Sequence, residues 1–304
     1  MIGMEVAFGL LTKGHKIVAT DKKPNEFVGR DNYSFVQAEI TDKAKITSII
    51  EGTKFDALIH LANSVDNDIA TLITDQEIDD SKACDKYIWK AATSAGIKDI
   101  LLLSSTHVYA PAKTREPLRE TYDLKPFSFY GQMKLDSEGA LMAACKKSNS
   151  TPVIMRMAPV YKASFTQNLR DKVFDNKEDK GFVFKEGEYG FSFCCIYNLV
   201  EFVNAIIAGP QGHYDGEYNI CDTKMTFARE ILEYERAFHR ISEVEQRNLS
   251  SGDAIKAALA LNGSKRAKQD YRHVDFSTIT SNITYDNTKG QRVSTFRWKL
   301  ANTK

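Results

Sequence analysis

The chain has 304 residues, of which 42% are hydrophobic and 27% charged, the composition of an ordinary globular protein. Forty-one basic and forty acidic residues give a net charge of +1, which excludes a general electrostatic attraction to nucleic acid or to an anionic membrane. The sequence has no apolar run near the ~20 residues of a membrane span and does not begin like a secretory leader, so we expect a cytoplasmic protein.

The first half of the sequence alternates short apolar runs with longer amphipathic stretches. Four runs are predicted to be strands: residues 15–20, 55–60, 100–104 and 152–156. Helices are predicted over 81–94 and 134–147, and Gly14 and Gly96 are expected to end helices in the left-handed conformation. Near-continuous apolar strands that alternate with helices predict an α/β fold with a doubly wound parallel sheet.

The pattern loosens after about residue 160. Residues 164–180 are predicted to be a polar loop, and residues 226–246 a helical stretch that Thr226 caps, with Glu230 in its first turn. We therefore expect a first domain of residues 1–162 and a smaller substrate-binding lobe of residues 163–304, with some of its elements returning to the first domain. The lobe would cover the end of the sheet where ligands of such folds bind.

Tyr130 and Lys134 carry the main chemical signal. They are four residues apart, which places them on one face of a helix. A phenol titrates near pH ~10, but an ammonium group one turn away favours the phenolate. Ser104 and Ser105 end an upstream apolar run, so a serine there could bind the same substrate oxygen. The set predicts acid–base chemistry at a carbinol or carbonyl, although the spacing alone also suits an exposed helix with a half-buried tyrosine.

Three motifs in order resemble those of the extended short-chain dehydrogenase/reductases, in particular the NAD-dependent epimerase/dehydratase group that acts on nucleotide sugars. They are Phe-Asp-Ala-Leu-Ile-His-Leu-Ala at 55–62, Ser-Ser-Thr-His-Val-Tyr at 104–109 and Pro-Phe-Ser-Phe-Tyr-Gly-Gln-Met-Lys at 126–134. Residues 156–161 resemble the strand and loop that follow in the family. The resemblance covers essentially the whole chain and implies a Rossmann-like fold.

The resemblance also implies roles for individual residues. Tyr130 would be the general acid and base, Lys134 would lower the pKa of Tyr130 and bind the nicotinamide ribose, and Ser105 would orient the substrate hydroxyl. Asp21 would bind the adenosine ribose and repel a 2′-phosphate, so NAD is expected as cofactor and NADP is less favoured. The two lysines after Asp21 could soften that preference. The remaining cofactor contacts implied are Ile2, Gly3, Glu39, Ile40, Leu61, Ala62 and Pro159.

The largest departure from the family lies at the start of the sequence. A first strand and the glycines of Gly-x-x-Gly-x-x-Gly are expected there, but only the third glycine, Gly3, is present. That strand would be central, so its absence would leave two neighbouring strands with unpaired backbone groups. Either the chain starts at an internal methionine of a longer protein, or cofactor binding has been lost. The presence of Asp21, Ser105, Tyr130 and Lys134 favours the first explanation, and the chain as it stands is expected to bind NAD poorly.

A second departure bears on the reaction. Thr106 and His107 stand where dehydratases of the family carry an Asp-Glu pair, so elimination of water is disfavoured. His107 is either a replacement base or, as we favour, a hydrogen-bonded structural residue. Candidate substrate contacts, besides these two, are arginines that could bind a diphosphate, although each could equally be a solvated surface residue: Arg170, Arg266 and Arg292.

These features predict an NAD-dependent epimerase that acts on a nucleotide sugar through a transient keto intermediate. A keto-sugar reductase or sugar dehydrogenase on the same residues is the alternative, and a non-catalytic dinucleotide-binding regulatory protein is an alternative of another class. The resemblance also implies a homodimer. The five cysteines lack Cys-x-x-Cys spacing, so we expect buried free thiols and no metal site. No nucleic-acid or membrane partner is expected.

Overall fold

The computed structural model describes residues 1–62, 73–112, 114, 116–175, 180–238, 240–247 and 283–303. The helices are α1 (Ile2–Thr12), α2 (Lys43–Glu51), α3 (Asp75–Ser94), α4 (Phe129–Cys145), α5 (Gln167–Arg170), α6 (Ile196–Ala208), α7 (Ala228–Ala237) and α8 (Thr288–Gln291). The strands are β1 (Ile17–Asp21), β2 (Tyr33–Gln37), β3 (Ala57–His60), β4 (Asp99–Ser105), β5 (Thr151–Met157), β6 (Val160–Tyr161), β7 (Phe174–Asp175), β8 (Lys180–Val183), β9 (Gly190–Phe191), β10 (Cys194–Cys195), β11 (Gly216–Ile220), β12 (Thr226–Phe227) and β13 (Val244–Gln246).

Parallel strands form the centre of the molecule, which confirms the predicted α/β class. Strands β11, β5, β4 and β3 form a four-stranded parallel sheet in that order, and β1 and β2 form a separate parallel pair. All seven residues of β4 are buried, as expected for a strand that is covered on both faces. The four predicted strands are confirmed to within two residues at each end, whereas β2 and β11 were not predicted.

The two parts of the sheet meet without backbone pairing. Among the described strands, β1 pairs only with β2, and β3 pairs at one edge only, with β4. Val18, in the middle of β1, is 38% exposed. Ile17 and Ile59, from the two parts, pack against one apolar cluster that includes Val6 and Leu10 of α1. One apolar cluster therefore contacts both parts of the sheet.

Local capping explains where the long helices begin. The helix predicted over 81–94 starts earlier, at Asp75, because Thr74 and Glu77 form a capping box in which the Glu77 backbone N–H donates to Thr74 Oγ1 at 3.2 Å. The helix predicted over 134–147 likewise starts earlier, at Phe129. Gly14 and Gly96 have φ of 83° and 73°, which confirms the predicted left-handed helix ends.

The second half of the chain differs from its prediction in three places. The predicted loop over 164–180 contains α5 and β7. Thr226 is not the cap of a helix, because it pairs with Phe191 in a short antiparallel ladder, and α7 begins at Ala228. Glu230 supplies the cap instead, with its Oε2 accepting from the Phe227 backbone N–H at 2.7 Å. The predicted helical stretch ends at Ala237 and is followed by β13.

The C-terminal half also contributes to the main sheet, because β11 pairs with β5. A second apolar cluster, rich in aromatic side chains, lies around β6 to β10 and α7. The division at residue 162 stays a prediction. The five cysteines are buried free thiols. Within the described ranges, none of the helices combines the length and apolar character needed to cross a bilayer, and no group of three or more His, Cys, Asp or Glu residues is arranged to hold a metal ion.

Candidate active site

Tyr130 and Lys134 lie one turn apart in the first half of α4. Ser128 caps this helix, and its Oγ accepts from the Gly131 backbone N–H at 3.1 Å. The cap fixes the turn that carries Tyr130. Lys134 Nζ lies 5.8 Å from the centroid of the Tyr130 ring, which is the shared face that the spacing predicts.

Ser105 stands at the carboxyl end of β4, next to the start of α4. Its Oγ accepts from the backbone N–H of His107 at 3.2 Å, which closes a one-turn 3₁₀ helix over Thr106–Val108. Lys134 Nζ donates to the carbonyl oxygen of Leu103 on the same strand at 3.2 Å. The structure therefore brings the predicted serine and lysine to one end of one strand.

Burial dominates the electrostatics of Lys134, which is only 8% exposed. Loss of solvent lowers the pKa of its ammonium group to about 8, and the negative charges of Asp85 and Glu138 oppose that shift. Because this pKa lies only about one pH unit above 7, most but not all Lys134 side chains are protonated at neutral pH.

His107 packs the edge of its imidazole against the Tyr130 ring, with centroids 5.8 Å apart. Burial, and secondarily the charge of Lys172, lowers the pKa of His107 to about 4. Its ring is therefore neutral and only weakly basic at pH 7. This favours the structural interpretation of His107 over that of a replacement base.

The residues that the resemblance assigns to the adenosine end lie on the β1–β2 side. Asp21 is exposed at the last residue of β1. Glu39 follows β2 and pairs with Lys22 at 3.9 Å, an exposed contact. The carbonyl of Ile40 accepts a hydrogen bond from the hydroxyl of Tyr87.

The predicted cofactor contacts nearer the middle of the sheet surround the start of α1. Among the described residues, a β-carbon built on Gly3 would meet only Leu61 Cδ1, at 3.9 Å, so these residues leave this surface of α1 open to a close approach. Ile2 is partly buried against the core, and Ala62 is exposed just after β3. The carbonyl of Pro159 accepts from the Cys194 backbone N–H at 2.9 Å.

The three predicted substrate arginines are spread over the C-terminal half. The guanidinium of Arg170 in α5 lies 3.8 Å from the centroid of the Phe174 ring. Arg292 is exposed directly after α8. Arg266 falls outside the described residues. Their assignment to substrate stays a prediction.

Sequence reasoning missed three side chains at this site. Glu138 lies one turn after Lys134, so the four-residue spacing that pairs Tyr130 with Lys134 could have found it. Asp85 comes from α3 and Tyr285 from the C-terminal segment, and no local pattern links either to the site. Tyr285 hydrogen-bonds Thr106 and stacks on Tyr109 with centroids 5.8 Å apart, which supports the turn after Ser105.

A parallel sheet with a serine at the end of a central strand, followed by a helix that carries a tyrosine and a lysine one turn apart, is the arrangement of an extended short-chain dehydrogenase/reductase with a Rossmann fold. The model of the NAD dependent epimerase/dehydratase family matches residues 1–221, and the chain belongs to that family.

Individual relatives are distant. UDP-glucose 4-epimerase of Bacillus subtilis is 27% identical over 150 residues, which cover 46% of this chain and 44% of that enzyme. The match thus spans less than half of the curated relative. Two solved structures agree in fold over 99% of this chain and 92% of theirs: WbmH of Bordetella bronchiseptica with NAD+ (TM-score 0.73, 18% identity) and MoeE5 with UDP-glucuronic acid and NAD (TM-score 0.72, 16% identity).

Proposed function

We propose that the chain is an NAD-dependent epimerase that acts on a nucleotide sugar through a transient keto intermediate. The observation that carries the proposal is the convergence of Ser105, Tyr130 and Lys134 at the carboxyl end of β4, beside a His107 whose ring is neutral at pH 7. Family membership and the relatives named above support the choice of a nucleotide sugar.

The residues present fit the adenosine and nicotinamide ends of NAD, whereas at the pyrophosphate only Gly3 of the three expected glycines is present, so we expect weak binding. Asp21 offers an exposed carboxylate for the adenosine ribose, and its charge favours NAD over NADP. Lys134 would bind the nicotinamide ribose, and the open surface at Gly3 permits close approach near the start of α1. When bound, NAD supplies a reversible acceptor for hydride.

The side chains of this chain would handle the proton. Tyr130, with the charged Lys134 beside it, would take the proton from the substrate hydroxyl as the carbon–hydrogen bond breaks, and Ser105 would hydrogen-bond the same oxygen. The resulting carbonyl would regain the proton from Tyr130 when hydride returns to its opposite face. Atoms and electrons then balance with no net oxidation, and only the stereocentre changes.

Thr106 and His107 argue against dehydration by the same site. Thr106 is 3% exposed and carries no acidic group, and a histidine with a pKa near 4 is a poor base at neutral pH. Elimination of water needs an additional acid and base of matched pKa. The described side chains beside Ser105 do not supply that pair.

Turnover of UDP-sugars with added NAD tests the proposal. An epimerase produces the epimer with no net change in the absorbance of reduced nicotinamide, whereas a reductase or dehydrogenase changes it stoichiometrically. Tyr130→Phe should lower kcat by about 10²–10⁴-fold, because the proton-transfer group is lost. Tyr214→Phe, which alters a tyrosine packed against His213, is the matched control and should leave kcat unchanged. Tight retention of NAD without turnover would instead support the regulatory alternative.

We further infer a cytoplasmic homodimer. By the family resemblance, the dimer contact would lie on helices, one of which begins near Tyr130. The exposed apolar Met142 of α4 (40% exposed) supports this choice of face. Sedimentation of the chain at micromolar concentration checks the dimer.

A further inference from the structure

A buried carboxylate lies directly behind the proposed catalytic lysine. Glu138 is 3% exposed and sits one turn after Lys134 in α4. Arg156 of β5, which is 1% exposed, donates from Nε to Glu138 Oε1 at 3.1 Å and from Nη2 to Oε2 at 2.8 Å. Ser104 Oγ donates to the same carboxylate. One side chain thus connects α4 with both β4 and β5.

The third nitrogen of the Arg156 guanidinium, Nη1, is also engaged, so the group is held from all three nitrogens. Nη1 donates to the carbonyl of Glu120 at 2.8 Å and to the hydroxyl of Tyr109 at 3.4 Å. Buried ion pairs of this kind are often no more stabilising than well-packed apolar side chains. Stability alone is therefore a weak explanation for the pair, and its position suggests a second role.

That position is next to the groups proposed to act on substrate. Ser104, which bonds Glu138, directly precedes Ser105, and Leu103, one residue earlier in the same strand, accepts from Lys134 Nζ. The Glu138 contacts therefore fix the end of β4 against α4 and, with it, the separation of Ser105 from Lys134.

Two negative charges face Lys134 from the elements packed around it. Glu138 comes from its own helix and Asp85 from α3, and both raise the pKa of the lysine. Each has a basic neighbour: Arg156 beside Glu138, and His60 Nε2 at 3.5 Å from Asp85 Oδ1. In a site of low polarity such charges act strongly, because little solvent screens them.

We propose that Glu138 is a positioning residue for Lys134: it holds the end of β4 against α4 through Ser104, and its carboxylate supplies a negative charge one helical turn after the lysine. The proposal rests on the proposed function only in giving Lys134 a catalytic role. The contacts themselves are independent of the reaction.

Titration of Lys134 tests the electrostatic half without any assay of turnover. In protein labelled with ¹⁵N-lysine, the Lys134 signal is assigned by its loss in Lys134→Met, and its midpoint is followed with pH. Glu138→Gln should lower the midpoint by about one unit or more, the usual effect of a close opposite charge. Asp136→Asn removes a partly exposed carboxylate from the same helix and should leave the midpoint unchanged. An unchanged midpoint in folded Glu138→Gln would overturn the proposal.

A second variant separates positioning from mere support of the fold. Glu138→Leu combined with Arg156→Met replaces the ion pair by apolar side chains, and circular dichroism checks that it folds. We expect it to fold with a lower kcat, because Ser104 has lost its bond to the carboxylate, and with a smaller change of the Lys134 midpoint than in Glu138→Gln, because a cation is removed together with the anion. A folded double variant with the wild-type midpoint and wild-type kcat would show that the pair is structural only. Absence of turnover in the wild-type chain would contradict the proposed function while the titration stays readable.

Discussion

Gly131 lies against the carbonyl oxygen of His107, so closely that a β-carbon at position 131 would overlap it. The same β-carbon would stand 2.8 Å from Pro126 Cβ. The first turn of α4 is therefore pressed onto the turn that follows β4, and this contact sets how near Tyr130 stands to Ser105.

Gly131→Ala should destabilise the protein by about 1–3 kcal/mol, because the carbonyl cannot move without shifting the turn. Gly139→Ala is a matched control on the same helix, since a β-carbon there meets no atom of the described residues within 4 Å. That change should stabilise the protein by about 0.5–1 kcal/mol through the better helix propensity of alanine. Urea unfolding measures both, and equal midpoints for the two variants would contradict this account of Gly131.

Asp222 should make the protein less stable as the pH rises. Burial raises its pKa to about 6 from the usual 3.8, against the hydrogen bonds from Cys195, Tyr161 and Asn198. The folded state then binds this proton more tightly than the unfolded chain does. The contribution of Asp222 to the free energy of unfolding is therefore fully present below pH ~4, and about 3 kcal/mol of it is lost as the pH rises to ~6. Asp222→Asn keeps an acceptor for Cys195 and Asn198. The difference in unfolding free energy between variant and wild type should therefore change over that range, and a constant difference would show that the pKa is not raised.

His107 should act in the opposite direction. Burial lowers its pKa from the usual 6.5 to about 4, so the unfolded chain binds the proton first. The contribution of His107 to the free energy of unfolding is then fully present above pH ~6.5, and about 3 kcal/mol of it is lost as the pH falls to ~4. Between pH ~4 and ~6 the effects of His107 and Asp222 partly cancel in the wild type. His107→Gln should remove the loss of unfolding free energy at acid pH, so that only the change caused by Asp222 remains. Denaturant unfolding at several pH values can check this.

The ion pair between Glu5 and Lys162 should contribute measurably to the docking of α1. The Lys162 Nζ to Glu5 Oε1 distance is 2.6 Å, and about a fifth of each side chain is exposed. A double-mutant cycle with Glu5→Gln and Lys162→Met should give a coupling of about 1 kcal/mol. The exposed Lys22–Glu39 pair, at 3.9 Å, is the control and should give less than about 0.5 kcal/mol. Equal couplings in the two cycles would contradict the greater value of the half-buried pair.

The parts of the fold that depend on local pattern were predictable, and the rest depends on distant partners. The apolar runs of β3, β4 and β5 and the Tyr130–Lys134 spacing follow from neighbouring residues alone. The bonds of Glu138 to Ser104 and Arg156 join residues 34 and 18 positions apart, which no periodicity reveals.

The error at Thr226 has a similar cause. Its hydroxyl chemistry suits a helix cap, but pairing with Phe191 across the chain draws it into a strand, and Glu230 caps α7 from within the first turn. Tertiary pairing thus outweighed a correct local propensity. Strands β4 and β5 were identified because burial on both faces leaves a continuous apolar run, which β2, with its exposed Ser34 and Gln37, does not show.

The division of the sheet has a consequence for how the molecule opens. Among the described strands, no backbone hydrogen bond links β1, which carries Asp21, to β3, the edge strand of the sheet that carries Ser105. The two regions can therefore unfold locally as separate cooperative units. Amide hydrogen exchange should show β1 and β2 exchanging through their own low-energy opening while β4 and β5 stay protected until global unfolding. A ligand that contacts both units should then first slow amide hydrogen exchange in β1.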